Sequence, residues 1–228
     1  MLSYLCFVDV LSFMRECHRV LKPNGVCRVV TEDLEQMCRV YLQKLEAAWE
    51  GDPQSAEEYG WMLLELYDQA TREYPGGEMA RYLSQDPLPS EDFIYARIGE
   101  PGRRMVSWRR SRSKGGENHA DSRPAKRRTV REGLVSRIRQ WVLTRALGRD
   151  GLKALEVGRF RLSSGQVSYR MYDRYSLKQL FLAAGFADIV SRTATESGYA
   201  RWNVVNLDVA PDGRVARPHA LILEGTRQ

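Results

Sequence analysis

The sequence has no apolar run near the roughly 20 residues that span a bilayer, so a membrane-spanning helix is not expected. The opening MLSYLCFVDVL is apolar but has no basic start and carries Asp9, which argues against a signal peptide. There is no Gly-x-Gly-x-Gly turn after a strand pattern, so a nucleotide-cofactor cradle of the common kind is missing. Cysteines are few. Cys6, Cys17, Cys27 and Cys38 are spaced 11, 10 and 11 apart, so no C-x-x-C pair exists for metal or redox work. Cys17, Cys27 and Cys38 fall on apolar positions and read as buried free thiols, which suits a reducing, cytoplasmic location.

What is present is globular: 228 residues, 43% hydrophobic and 28% charged. The net charge of +6 is uneven. Between Arg103 and Arg139 there are 13 Lys/Arg against three acids, so the rest of the chain is net negative. Residues 103–128 read as a solvated basic loop.

Along the chain, Val10, Met14, Cys17 and Leu21 form a helical stripe over residues 7–21. Lys22-Pro23-Asn24-Gly25 stops the helix and reverses the chain, and Val26–Val30 is a short β-branched strand. Thr31 is placed to cap the next helix, whose period runs through Leu34, Met37, Cys38, Tyr41, Leu42 and Leu45. Ser55-Ala56-Glu57-Glu58 reads as a capping box for a helix with Tyr59, Met62, Leu63, Leu66 and Ala70 on one face, broken by Gly76-Gly77. Residues 86–102 read as loops with at most a short helix. Thr129–Leu147 reads as an amphipathic helix with Val130, Leu134, Ile138 and Val142 on one side, closed by Gly148. Ser176 is expected to cap a helix through Leu177, Leu180, Phe181 and Ala184, ended by Gly185. Ala187–Ala194, Asn203–Val209 and Ala220–Glu224 are expected strands, with a turn at Pro211-Asp212-Gly213 and the last strand closing a sheet edge antiparallel.

Three segments together are similar to one family. Phe13–Gly25 with Val26–Val30 resembles the R-x-L-K-P-G-G helix–turn–strand of class I S-adenosylmethionine-dependent methyltransferases, with Asn24 in place of the first glycine. Tyr172–Phe181 with Ala184-Gly185-Phe186 resembles the M-Y-D-R-Y-S-L…A-G-F block of one branch. Glu196-Ser197, Leu207-Asp208, Asp212-Gly213, Arg217-Pro218 and Leu223-Glu224-Gly225 follow in that branch's order. The resemblance implies an α/β fold: a partial Rossmann-like methyltransferase sheet with antiparallel closing strands and a helical, basic insertion. It divides the chain into a core part at 1–100, the basic insert at 101–128, an amphipathic helix and linker at 129–159, and closing elements at 160–228. It implies S-adenosylmethionine as cofactor and a small molecule or glycan as acceptor. It also implies that the cofactor-binding half is not in these residues, that the chain alone is inactive, and that its first residues fall near the end of a fourth strand; the alternative is a non-catalytic remnant acting through the basic insert. Ser3 and Tyr4 fall where the branch carries a Glu-His pair.

Candidate acceptor-side residues are Tyr172, Asp173, Arg174 and Tyr175, which either line a pocket or form a turn fixing the start of the next helix, and Glu196. His18 reads as a structural helix residue. From a different class, Arg103, Arg104, Trp108–Arg110, Arg112, Lys114 and Lys126–Arg128 could bind nucleic acid, and helix 129–147 an anionic membrane. A solvated loop and a core-packed helix are the favoured readings.

Overall fold

The computed structural model describes residues 2–114 and 130–228. A single 3-10 turn, Leu2–Tyr4, precedes helix α1, Phe7–Val20. The chain then turns as the sequence predicts. Asn24 takes φ 61°, tolerable for Asn, and Gly25 N–H donates to the Lys22 carbonyl at 2.8 Å. Arg227 clamps this corner from the far end of the chain, donating to the Arg19 carbonyl at 2.7 Å and to the Leu21 carbonyl.

The turn feeds β1, Val26–Glu32, which pairs antiparallel with the last strand, β3, Ala220–Thr226, from Val26 opposite Thr226 to Glu32 opposite Ala220. The remaining strand, β2, Ala187–Ser191, pairs with the other edge of β3, also antiparallel, with an irregularity between Ala187 and Val190. The order is therefore β1-β3-β2. The expected strand to Ala194 stops at Ser191. The expected strand at 203–209 is instead the short helix α8, Trp202–Val205, because Trp202 turns inward, donating its indole N–H to the Ala194 carbonyl at 3.0 Å.

Period-2 alternation puts Leu221, Leu223 and Gly225 on one face of β3. There α1 and α7, Arg174–Ala183, bury Val10, Met14, Leu177 and Phe181 against Leu221, Leu223 and Phe186. Gly225 is glycine for a reason: a Cβ would lie 2.7 Å from the Phe181 ring. His18 meets Phe186 edge-on at 5.0 Å, the structural role expected of it.

Between β1 and α7 the chain builds a second, helical core from α2 (Leu34–Trp49), α3 (Pro53–Thr71), α4 (Gly77–Tyr82) and α5 (Glu91–Lys114), and α6 (Val130–Ser163) follows without contributing to it. Met37, Trp61, Met62, Leu83, Leu88, Ile94 and Val106 fill it. Several expectations are corrected here. Asp33, not Thr31, caps α2, accepting from Gln36 N–H; Thr31 stays in β1 and is buried. Asp52, not Ser55, caps α3, with Pro53 in the first turn. Asp173 caps α7, and Ser176 reciprocates from the third helical position. Residues 91–102 are helical, and so are 103–114, where the composition predicts loop. Ile94 and Val106 need a buried stripe, and Gly99 at φ 61° lets the helix kink where the Ala216 carbonyl presses against it. Cys38 is exposed rather than buried, and Cys6 is exposed as well. Cys17 and Cys27 are half-buried, and burial pushes the Cys27 thiol up to about 11. Residues 115–129, and the stripe Val130, Leu134, Ile138 and Val142, lie outside the described residues or side chains; Gly148 does break α6, at φ 70°.

The buried face of α3 also departs from expectation. Ala70 is exposed, while Glu58, Trp61, Met62, Glu65 and Asp68 are buried. The acids are paired: Glu58 with Lys44, Glu65 with Arg97, and Asp68 with Arg72.

His219 leads into β3 beside the Glu65–Arg97 pair. Its Nδ1 is buried and has no partner among the described residues. Burial, then the Arg97 charge, holds its pKa below the ordinary histidine value, against a smaller opposing pull from Glu65. The unfolded chain therefore binds the proton more readily, so stability falls as pH drops below about 6.5. Urea titrations at pH 7.5 and 5.5 should give a lower midpoint at 5.5, and His219→Gln should shrink that difference; an unchanged difference refutes the assignment.

Candidate functional site

At the carboxyl end of β1, the turn Leu2–Tyr4 brings Ser3 and Tyr4 against the strand. Ser3 Oγ lies 3.0 Å from Thr31 Oγ1 and donates to Glu32 Oε2 at 3.1 Å; Thr31 Oγ1 reaches the same oxygen at 3.2 Å. Ser3 is itself fixed, its carbonyl accepting from Tyr169 N–H at 2.8 Å. One carboxylate oxygen of half-buried Glu32 is thus held by two hydroxyls. Its other oxygen accepts no hydrogen bond from the described residues, so it is free to accept from a ligand N–H or O–H. Next to it the Tyr4 hydroxyl donates to Gln69 Oε1 at 2.9 Å. Burial, then the Glu32 charge, pushes the Tyr4 phenol up, so it stays protonated and a donor.

Tyr172 closes this end of the core. It is fully buried, its backbone bridges to Asp33, and the Arg170 guanidinium lies 5.1 Å from its ring centroid. Its hydroxyl has no partner among the described residues. The sequence candidates therefore separate. Tyr172 is core. Asp173 is the α7 cap. Arg174 and Tyr175 are exposed, and Arg174 pairs with Glu35 at 2.9 Å. Glu196 lies in a different loop, where its carboxylate accepts from the Thr193 N–H and hydroxyl. Asp173 fixes the helix start, while Arg174 and Tyr175 line an open groove of about 310 Å³ with Lys178, Ile189, Ser191 and Leu223.

Glu32 and Thr31 were missed from sequence. The sequence pattern ends the strand at Val30, whereas Glu32 is the last residue of β1. Ser3 and Tyr4 were flagged only as replacements, and they do meet at the strand end.

The fit of S-adenosylmethionine can be tested on the glycines. A cofactor cradle needs a glycine turn directly after a strand, and none of the described strands is followed by one. Gly76 and Gly77 have positive φ but precede α4, and a Cβ on Gly77 would lie 2.3 Å from Asp68 Oδ1 and 2.5 Å from Arg72 Nε. That space is filled by the chain's own ion pair. The described residues do not fit the cofactor.

Of the basic residues considered for nucleic acid, the described ones have partners. Arg103 stacks 5.1 Å from Tyr95, Arg104 pairs with Glu100, and Arg110 pairs with Glu91. Lys126–Arg128 and the side chains of Arg109, Arg112 and Lys114 lie outside the described ones. No helix among the described residues is long and apolar enough to cross a membrane, and no group of three or more His, Cys, Asp or Glu there could hold a metal ion. Compared with protein-family models, with curated proteins and with solved structures, the chain matches none.

Proposed function

We propose that this is a methyltransferase-like protein that supplies the acceptor side of an S-adenosylmethionine-dependent methyl transfer, with the cofactor held by polypeptide outside residues 1–228. The observation that carries the reading is the strand arrangement. A helix, a Lys-Pro-Asn-Gly turn and β1 are followed, after a long helical insertion, by β3 running antiparallel between β1 and β2. The antiparallel pairing of β1 with the last strand supports the antiparallel closing strands that the resemblance implies, although that strand is central and not at the expected edge. The Ser3–Thr31–Glu32 cluster supports it further, because it sets an oriented carboxylate at the strand end where an acceptor hydroxyl or amine would lie.

Two titrations test the proposal. Residues 1–228 alone should show no low-micromolar heat of binding with S-adenosylmethionine. The reading frame extended upstream of Met1 should contain a glycine-rich strand–turn, and the longer polypeptide should bind. Low-micromolar binding by the 228-residue chain, or an extended frame without such a segment, overturns the reading.

A further inference from the structure

The groove beside α7 is built unlike the Glu32 cluster, from apolar side chains and cations. Its floor is Ile189 and Leu223, one wall is the Tyr175 ring, and its neutral polar groups are the Ser191 and Tyr175 hydroxyls. Ser191 already points its hydroxyl at the Ile222 carbonyl. A polyhydroxylated ring gains little from this apolar floor, since its hydroxyls would find direct partners only at the rim. A flat apolar ring loses nothing on that floor and gains a stacking partner in Tyr175.

The rim carries charge of one sign. Lys178 has no ion-pair partner among the described residues, and Arg174 engages Glu35 through Nε. At about 310 Å³ the space is at the small end for ligand sites, suited to a single ring system rather than a folded partner.

The geometry points to this groove as a binding site for a small aromatic carboxylate, the ring against Tyr175, Ile189 and Leu223 and the carboxylate on Lys178 and Arg174. This site shares no residue with the Glu32 cluster and goes beyond the acceptor-side reading. Its test uses no methyl donor, so a failure here is distinguishable from a failure of that reading.

The probe is 4-hydroxybenzoate, titrated into the full chain and followed by amide chemical shifts, with 4-hydroxybenzamide and glucose 6-phosphate alongside. Saturable shifts confined to Arg174–Lys178, Ile189–Ser191 and Leu223 are expected, with the amide binding roughly five- to tenfold more weakly and Lys178→Glu losing a similar factor. Tyr175→Ala should weaken both aromatic probes alike. These side chains are exposed, and an unchanged circular dichroism spectrum confirms folding of the variants. The proposal is overturned by an absence of saturation at 10-mM-range ligand (~10 mM, the weak end of specific binding), by equal binding of acid and amide, by shifts elsewhere, or by tighter binding of glucose 6-phosphate.

Discussion

Replacing Arg97 by methionine should lower the unfolding free energy by about 3–5 kcal/mol, because it strands a buried carboxylate. The Arg97 and Glu65 side chains are 3% and 7% exposed, and they meet through Arg97 Nε and Nη2. Glu65 Oε1 also accepts the Trp61 indole N–H at 2.7 Å, so one carboxylate ties α5 to the largest side chain of the helical core. Once Arg97 is gone, Glu65 must ionise in an apolar setting or take up a proton. Neither recovers the charge-assisted bonds. The control is the double variant Glu65→Leu with Arg97→Met. Replacing both partners by apolar groups of similar volume should recover most of the loss, because a buried pair contributes little net stability over a packed hydrocarbon. Equilibrium denaturation of the three variants measures this. A single variant that loses less than about 1 kcal/mol, the range of surface pairs, shows that the pair is hydrated and not buried.

The same pair shows where sequence reading stopped. Apolar periodicity found α1, β1, α7 and the last strand, and the Pro-Asn-Gly corner, since each of these buries hydrocarbon on a single face or needs a left-handed residue. It misjudged α3, whose buried stripe includes Glu58, Glu65 and Asp68. Those acids are inside only because Lys44, Arg97 and Arg72 lie opposite, and pairing between distant residues leaves no periodic trace. The cap positions slipped for a related reason. Thr31, Ser55 and Ser176 are competent caps by type, but Asp33, Asp52 and Asp173 hold the bonds, and capping composition alone does not choose between neighbours. The candidate site divided along the same line. Arg174 and Tyr175 were visible as exposed polar residues beside a turn. The Ser3–Thr31–Glu32 cluster joins residues 28 and 29 positions apart, and only the fold brings them together.

Arg28→Ala should cost about as much as Arg97→Met, about 3–5 kcal/mol, and should release the segment between β2 and β3. Arg28 stands mid-strand in β1, and all five of its N–H donors have an acceptor. Nε and Nη2 reach Asp208 at 2.9 and 2.8 Å, Nη1 reaches Glu224 at 2.8 Å, and the backbone carbonyls of Glu196 and Thr193 take the others at 2.8 and 2.9 Å. Its guanidinium also stacks 4.2 Å from the Trp202 ring centroid. One side chain therefore fastens the 193–208 loop to the sheet face opposite α1 and α7. Lysine keeps the charge but has no planar fork, so Arg28→Lys should recover only part of the loss. Trp202 reports directly: it is 8% exposed, and its contribution to the fluorescence should shift to the red in the alanine variant, with new proteolysis near Arg201. Acid should act on the same network. Burial pulls the Glu224 carboxyl up, but the Gly198 N–H, the Ser197 hydroxyl and Arg28 more than offset it, and its pKa is lowered. Its contribution is present above the unfolded value of about 4.3 and is lost as pH falls through the lower folded value. Glu224→Gln should therefore remove stability at pH 7 and flatten the acid limb below about pH 4.3. If loop release and the acid limb are both untouched by these variants, Arg28 does not hold the loop, and the order of residues 193–208 comes from Trp202 packing alone.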